Sequence, residues 1–201
     1  MQENINNKRK QRIIDAAITV FTTKSFEDVT MREIAATAGL TTGAIYYHYK
    51  SKDELLYDVI NHSIHFIYRI SEKDGAKLKD KDVLLSEVKN EVTMRLSKKD
   101  EQKLHLLLIS YLISKNGELK EKYKLNYNNI IDKVANMYLY TFGIENEKLK
   151  KGLASIFVAA LDGMAIQYSL GVLNENQKDF IKLFNDFFAE SIPLFLKKHL
   201  E

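Results

Sequence analysis

Between residues 30 and 52 the chain gathers side chains that hydrogen-bond to oxygen: the hydroxyls of Thr30, Thr41 and Thr42, the Arg32 guanidinium, the phenols of Tyr46 and Tyr47, the His48 imidazole and the Lys52 ammonium. Gly43 and Ala44 interrupt this series with almost no bulk. Phenol and imidazole groups donate to phosphate oxygens while their rings pack on sugars. A start of small residues lets a helix approach base edges in a groove about 12 Å wide. The chemistry is therefore that of holding a polyanion and reading polar edges. Catalysis asks for other sets: no nucleophile, base and orienting group stand together, and no Gly-rich phosphate loop is present, so we expect no enzyme.

The elements that must position these groups are written locally. Thr30 followed by Glu33 has the form of a capping box, which predicts a helix starting near Met31. Ile34, Ala35 and Ala38 give it an apolar face, and Gly39 is suited to the left-handed conformation that ends it. Leu40 plugs the turn. Either Thr41 or Thr42 caps a second short helix whose buried side is Ile45 and Tyr49. Ser51 then caps a longer helix that begins at Lys52, where dipole and ammonium both favour a phosphate.

The series Thr30, Ile34, Ala35, Ala38, Gly39, Gly43, Ile45, Tyr46, Tyr47, His48, Tyr49, Lys52, Leu55 resembles the N-terminal signature of the TetR family of transcriptional regulators over some fifty residues. The family more often has Phe after His48; Tyr49 stands there, so its hydroxyl must reach the surface or find a partner. The resemblance implies a helix-turn-helix with Arg32, Thr42, Gly43, Ala44 and Tyr47 nearest the bases, and Thr30, Tyr46, His48 and Lys52 nearest phosphates. It implies a repressor that binds a palindromic operator in double-stranded DNA as a homodimer and is released by a small molecule. Over the rest of the chain the resemblance is confined to length, helical content and the segment 161–164.

Charge distribution agrees with a DNA-reading end. Residues 1–52 carry eight Lys or Arg against five acids, while residues 53–201 carry 22 of each. Lys8, Arg9, Lys10 and Arg12 cluster before the first apolar helical face, as a basic arm on phosphates or as a solvated helix start. With no Cys the chain has neither disulfides nor thiolate chemistry, which fits a reducing cytoplasm. The N-terminus has no apolar run suited to export, so a cytoplasmic protein is expected.

Eight Gly, one Pro and the absence of repeats predict an all-α fold of about nine helices. The first, over residues 8–23, packs Ile13, Ile14, Ala17, Val20 and Phe21 over the two-helix motif. Breaks fall at 72–82, 97–100, 116–118, 143–145 and 171–176. We divide the chain into a helix-turn-helix domain at 1–52 and a helical ligand-binding and dimerisation domain at 53–201, bridged by the helix at 52–70.

Residues 152–172 are nearly continuous in apolar and small side chains, yet Asp162 and Gln167 argue against a membrane span. Ala159 and Gly163 leave a shallow face for a neighbouring helix, and the last helix adds Phe184 and Phe188 within a broad aromatic stripe. Two such helices could supply half of a four-helix bundle; the resemblance implies that this bundle joins two subunits, and a two-fold dimer sets two reading helices roughly 34 Å apart. The plainer reading is that both fill the monomer core. Phe66, Tyr111, Tyr127 and Phe157 are candidates to line a pocket for an apolar or aromatic effector, and are equally good core residues. Asp58, His62 and His65 lie at helical spacings but lack a third strong ligand at a diagnostic spacing, so no metal and no cofactor is expected. A second reading is a regulator that acts through a protein partner, with the charged turns at 77–82 and 115–122 as surfaces.

Overall fold

The computed structural model describes the backbone of residues 2–71, 81–173 and 177–200, and the side chains of residues 6–61, 82–173 and 178–198. Phe66, His62 and His65, and most of the charged turn at 77–82, lie outside the described side chains. The fold is all-α. Among the described residues there are nine helices: α1 Gln2–Phe21, α2 Met31–Thr37, α3 Thr42–His48, α4 Lys52–Ser71, α5 Lys81–Ser97, α6 Lys99–Ile113, α7 Glu118–Phe142, α8 Glu147–Ser169 and α9 Gln177–Leu200. None of the described helices is long and apolar enough to cross a membrane. The first helix begins six residues before the expected start, because a run of Asn, Gln and Glu carries no apolar periodicity to mark it.

Two compact units emerge. The first holds residues 1–64 and 100–126; the second holds 65–99 and 127–201. Packing adds α6 and the start of α7 to the N-terminal helices. In the first unit Ile13, Ala17 and Phe21 of α1, Ile34 of α2, Ile45 of α3, Leu55 and Val59 of α4, and Leu104 and Leu108 of α6 are fully buried. Burying a Leu or Ile side chain contributes about 1.5–3 kcal/mol each, which three helices of seven to twenty residues would not supply alone.

In the second unit an aromatic cluster joins three helices. Phe157 of α8 lies 5.5 Å from Phe184 and 5.0 Å from Phe188 of α9, and 6.3 Å from Tyr138 of α7. Charged ties run beside it: Lys89 to Asp186 at 2.7 Å links α5 to α9, and Lys151 to Asp132 at 2.8 Å links α8 to α7. Asp162 is the most enclosed of these anions. It accepts from Arg95 Nη2 of α5 at 2.7 Å and from the Tyr127 hydroxyl of α7, with the Asp162 and Arg95 side chains only 14% and 12% exposed. Burial, then the bond to Asp162, push the Tyr127 phenol well above its ordinary pKa, so it stays a donor.

Candidate nucleic-acid interface

Three caps fix the two short helices and the start of α4. Thr30 Oγ1 accepts from Glu33 N at 3.2 Å while Glu33 Oε2 accepts from Thr30 N at 3.0 Å, which completes the capping box. Thr41, not Thr42, caps α3, its hydroxyl oxygen accepting from Ala44 N at 3.2 Å. Ser51 Oγ accepts from Glu54 N at 3.1 Å, and Glu54 Oε2 from Lys50 N at 2.6 Å. Between α2 and α3, Gly39 has φ +63°, and Leu40 N donates back to Ala35 O at 2.9 Å, closing the turn. Arg12 Nη2 of α1 donates to Ala38 O at 2.7 Å, so the end of α2 is tied to the helix that covers it.

This leaves α3 with one buried residue, Ile45, and an open outer face. Tyr47 is 74% exposed and Tyr46 47% exposed, and Gly43 lies on the surface at the N-terminal end. Arg32 of α2 is exposed, with no partner among the described residues. His48 sits at the end of α3, and its pKa is held below the usual histidine value by burial first and then by the positive charges of Arg9 and Lys10. The basic arm is thus felt at the last turn of α3, and the imidazole is neutral at neutral pH.

Two cations of that arm have other work. Arg12 holds Ala38, and Lys10 pairs with Asp58 at 2.6 Å while standing 5.7 Å over the Tyr49 ring. Asp58 also accepts from the Tyr49 hydroxyl at 3.2 Å, which gives the Tyr49 phenol its partner. Burial and then the Asp58 charge raise the Tyr49 phenol far above its usual pKa.

The largest departure concerns Lys52. Its ammonium was expected to face a phosphate; instead it donates to Phe26 O at 2.6 Å, Val29 O at 3.0 Å and Glu27 O at 3.2 Å. An ammonium has three donors, and all three are used. Thr30 is similarly engaged, since its hydroxyl also donates to Glu33 Oε2 at 3.1 Å. Lys50, which the sequence reading passed over, is exposed just beyond α3, and its ammonium has no partner among the described residues.

In the second unit the candidates sort differently from the sequence reading. Ala159 is exposed and Gly163 partly so, but Phe184 is buried against Phe157 and Phe188 packs in the same cluster. They are core residues because they share a helical face with Ile181 and Ile192, which are buried too. The outward stripe of α9 is Phe180, Leu183, Phe187 and Leu194, with Leu183, Phe187 and Leu194 60–68% exposed; on α8, Ile156 and Ile166 are exposed beside Ala159 and Gly163.

Of the pocket candidates, Tyr111 lines a polar cleft of about 310 Å³ in the first unit, formed by the start of α4 and the turn between α6 and α7. Phe157 lines a cavity of about 20 Å³ in the second, with Val88, Met137, Tyr138, Phe188 and Ile192. Tyr127 is committed to Asp162.

Two short helices crossing at a glycine turn, the second with an open polar face and a third helix packed behind them, define a helix-turn-helix protein. Residues 13–59 match the family model described as bacterial regulatory proteins, tetR family, which spans α1 to the first turns of α4. Over these residues the chain is similar to the N-terminal domain of the TetR family. It is 34% identical over 119 residues to the uncharacterised HTH-type transcriptional regulator YerO of Bacillus subtilis strain 168, covering 57% of this chain and 40% of that one. The first curated relatives are all spanned over less than half of their own length. A fatty acid metabolism regulator protein of the same bacterium is 24% identical over 87% of this chain and 89% of its own. Among solved structures, a Saccharomonospora viridis protein in complex with choline superposes with a TM-score of 0.70 at 18% identity, over 92% of this chain and 97% of that one. That likeness extends to the fold beyond α4.

Proposed function

We propose that this chain is a transcriptional repressor that works in the cytoplasm, binds an inverted-repeat operator in double-stranded DNA as a homodimer, and is released by a small molecule. The observation that carries the reading is the outer face of α3, where Tyr46 and Tyr47 project toward solvent from a helix whose one buried residue is Ile45. On this reading Arg32, Thr42, Gly43, Ala44 and Tyr47 lie nearest the bases. Tyr46, His48 and Lys50, with Lys8 and Arg9 from the arm, lie along phosphates. Thr41 contributes as the cap that aims the start of α3 into the groove.

The homodimer is supported by the exposed apolar residues of α8 and α9 in the second unit. Ile156, Ala159, Gly163 and Ile166 face the partner from α8, and Leu183, Phe187 and Leu194 from α9. The effector reading draws on Tyr138 and Thr141 of α7, one turn apart and buried, whose hydroxyls have no hydrogen-bond partner among the described residues. An unsatisfied buried hydroxyl costs about 1–3 kcal/mol. Tyr138 borders the small apolar cavity, so an apolar or aromatic compound that widens it and brings one polar group to that phenol would satisfy the hydroxyl. A fold neighbour in complex with choline supports a small-molecule effector.

The test is selection of bound DNA from a random pool by the full-length protein, repeated with cell extracts as a source of effector. Enrichment of one short inverted repeat, lost for Tyr47→Ala, is the expected result. Recovery of an asymmetric site or of no site at all overturns the proposal, and effectors that bind without changing operator affinity overturn its release step.

A further inference from the structure

The three carbonyls held by Lys52 lie in one short loop, residues 26–29, immediately before Thr30 caps α2. Lys52 itself is the first residue of α4, with three residues between it and the end of α3. A single ammonium therefore ties the entry of the two-helix motif to its exit. The turn at Gly39 closes the motif at one end; Lys52 closes it at the other. Without that tie, the Phe26, Glu27 and Val29 carbonyls would need other donors, because the loop's own backbone bonds satisfy only the Asp28 and Val29 amides through Ser25 O.

The loop is gripped from its other side as well. Phe26 is buried and stacks 5.3 Å from Tyr111 of α6, and Glu27 pairs with Lys115 at 3.2 Å, the same Lys115 ammonium standing 5.2 Å over the Tyr111 ring. All of these residues belong to the first unit. A loop fixed on both sides holds the start of α2 in place against the start of α4.

We infer that Lys52 is a positioning residue for DNA recognition: it braces the loop before α2 against the start of α4 and thereby holds the reading face of α3 at the angle the groove requires, without giving its charge to a phosphate. The inference rests on the proposed DNA-binding function, and its test is built so that the two fail separately. A phosphate contact and a brace predict opposite behaviour. Losing one phosphate contact reduces the slope of log affinity against log salt by about 0.9 and weakens specific and non-specific binding alike. Losing a brace leaves the slope unchanged and weakens the specific complex alone, since non-specific binding needs charge and not a particular helix angle.

The experiment compares the full-length wild type with Lys52→Met and Lys52→Arg on the DNA selected by the wild type and on an unrelated duplex, across a salt series. Amide hydrogen exchange at residues 26–30 is measured on the free proteins. Lys52→Met is expected to lose about tenfold in specific affinity, keep its non-specific affinity and salt slope, and exchange faster at the loop. Lys52→Arg keeps the positive charge but cannot reproduce a three-carbonyl grip with a planar fork, so it behaves like Lys52→Met. Overall unfolding would lower both affinities together, which separates a positioning role from a merely structural one. A slope reduced by about one contact in Lys52→Met, or full rescue by Lys52→Arg, overturns the inference. If the wild type selects no DNA, the function fails while loop exchange still judges the brace; unchanged exchange in Lys52→Met then refutes it.

Discussion

Replacing Asp162 tests whether the enclosed ion pair of the second unit is a local tie or an ornament. Asp162→Leu removes the carboxylate that accepts from Arg95 at 2.7 Å and from the Tyr127 hydroxyl, and it leaves in place a guanidinium that is only 12% exposed. Breaking a buried pair from one side costs about 3–5 kcal/mol, because the remaining charge keeps its desolvation penalty and loses its compensation. The phenol adds about 1 kcal/mol if it finds no new acceptor. Arg95 has further contacts on its own side, so the lower end, about 3 kcal/mol, is the expected loss. For a chain of this size that lowers the melting temperature by roughly 6–12 °C. Arg95→Met should cost less than Asp162→Leu, and the double variant should recover more than half of the loss, since removing both charges together removes the uncompensated one. Thermal and urea unfolding of the four proteins give the coupling energy directly. A loss under about 1 kcal/mol for Asp162→Leu, or a double variant equal to the sum of the singles, would refute the reasoning.

Gly39→Ala should destabilise the first unit by about 1–2 kcal/mol, because the residue has φ +63° and a new Cβ would meet Arg12 Nη2 at 3.2 Å; unfolding monitored by tyrosine fluorescence checks it. Glu33 has its pKa lowered to about 2, by the Lys24 bond first and then by the Thr30 cap. Its folded value lies below its unfolded one, so its contribution to stability is present above pH 4.5 and is lost as the pH falls towards 2; Glu33→Gln should flatten the acid limb of wild-type unfolding in that window. Phe187→Glu, on the outward stripe of α9, should shift the protein from dimer to monomer in sedimentation, whereas Phe184→Ala should unfold the second unit by about 3–5 kcal/mol instead; a Phe187→Glu protein that stays dimeric removes α9 from the interface.

What the sequence disclosed was what is local. The capping box, the glycine turn and the pairs Ile34 with Ala38 and Ile45 with Tyr49 each involve residues within four or five positions of one another, and the two short helices follow from them. The side-chain partners do not. Lys52 finds its acceptors 23 to 26 residues away and all three are main-chain carbonyls, which carry no mark in a sequence. Arg95 lies 67 residues from Asp162. On α9 the difficulty is of another kind: Phe180, Leu183 and Phe187 alternate with Ile181, Phe184 and Phe188, so two apolar stripes lie side by side and periodicity alone does not say which one faces the core. Only the position of Phe157 on a different helix decides it.

The membership of α6 in the first unit bears on how such chains exchange parts. A reading head cut at residue 52 and grafted onto another sensor would take Phe26 and Glu27 with it and leave Tyr111 and Lys115 behind, exposing a buried ring and stranding a charge. The transplantable piece is therefore not a contiguous stretch. Recombination between related chains should keep residues 1–64 and 100–126 from one parent, and libraries of chimaeras scored for folding would show their surviving crossovers at those three seams rather than at the end of the helix-turn-helix.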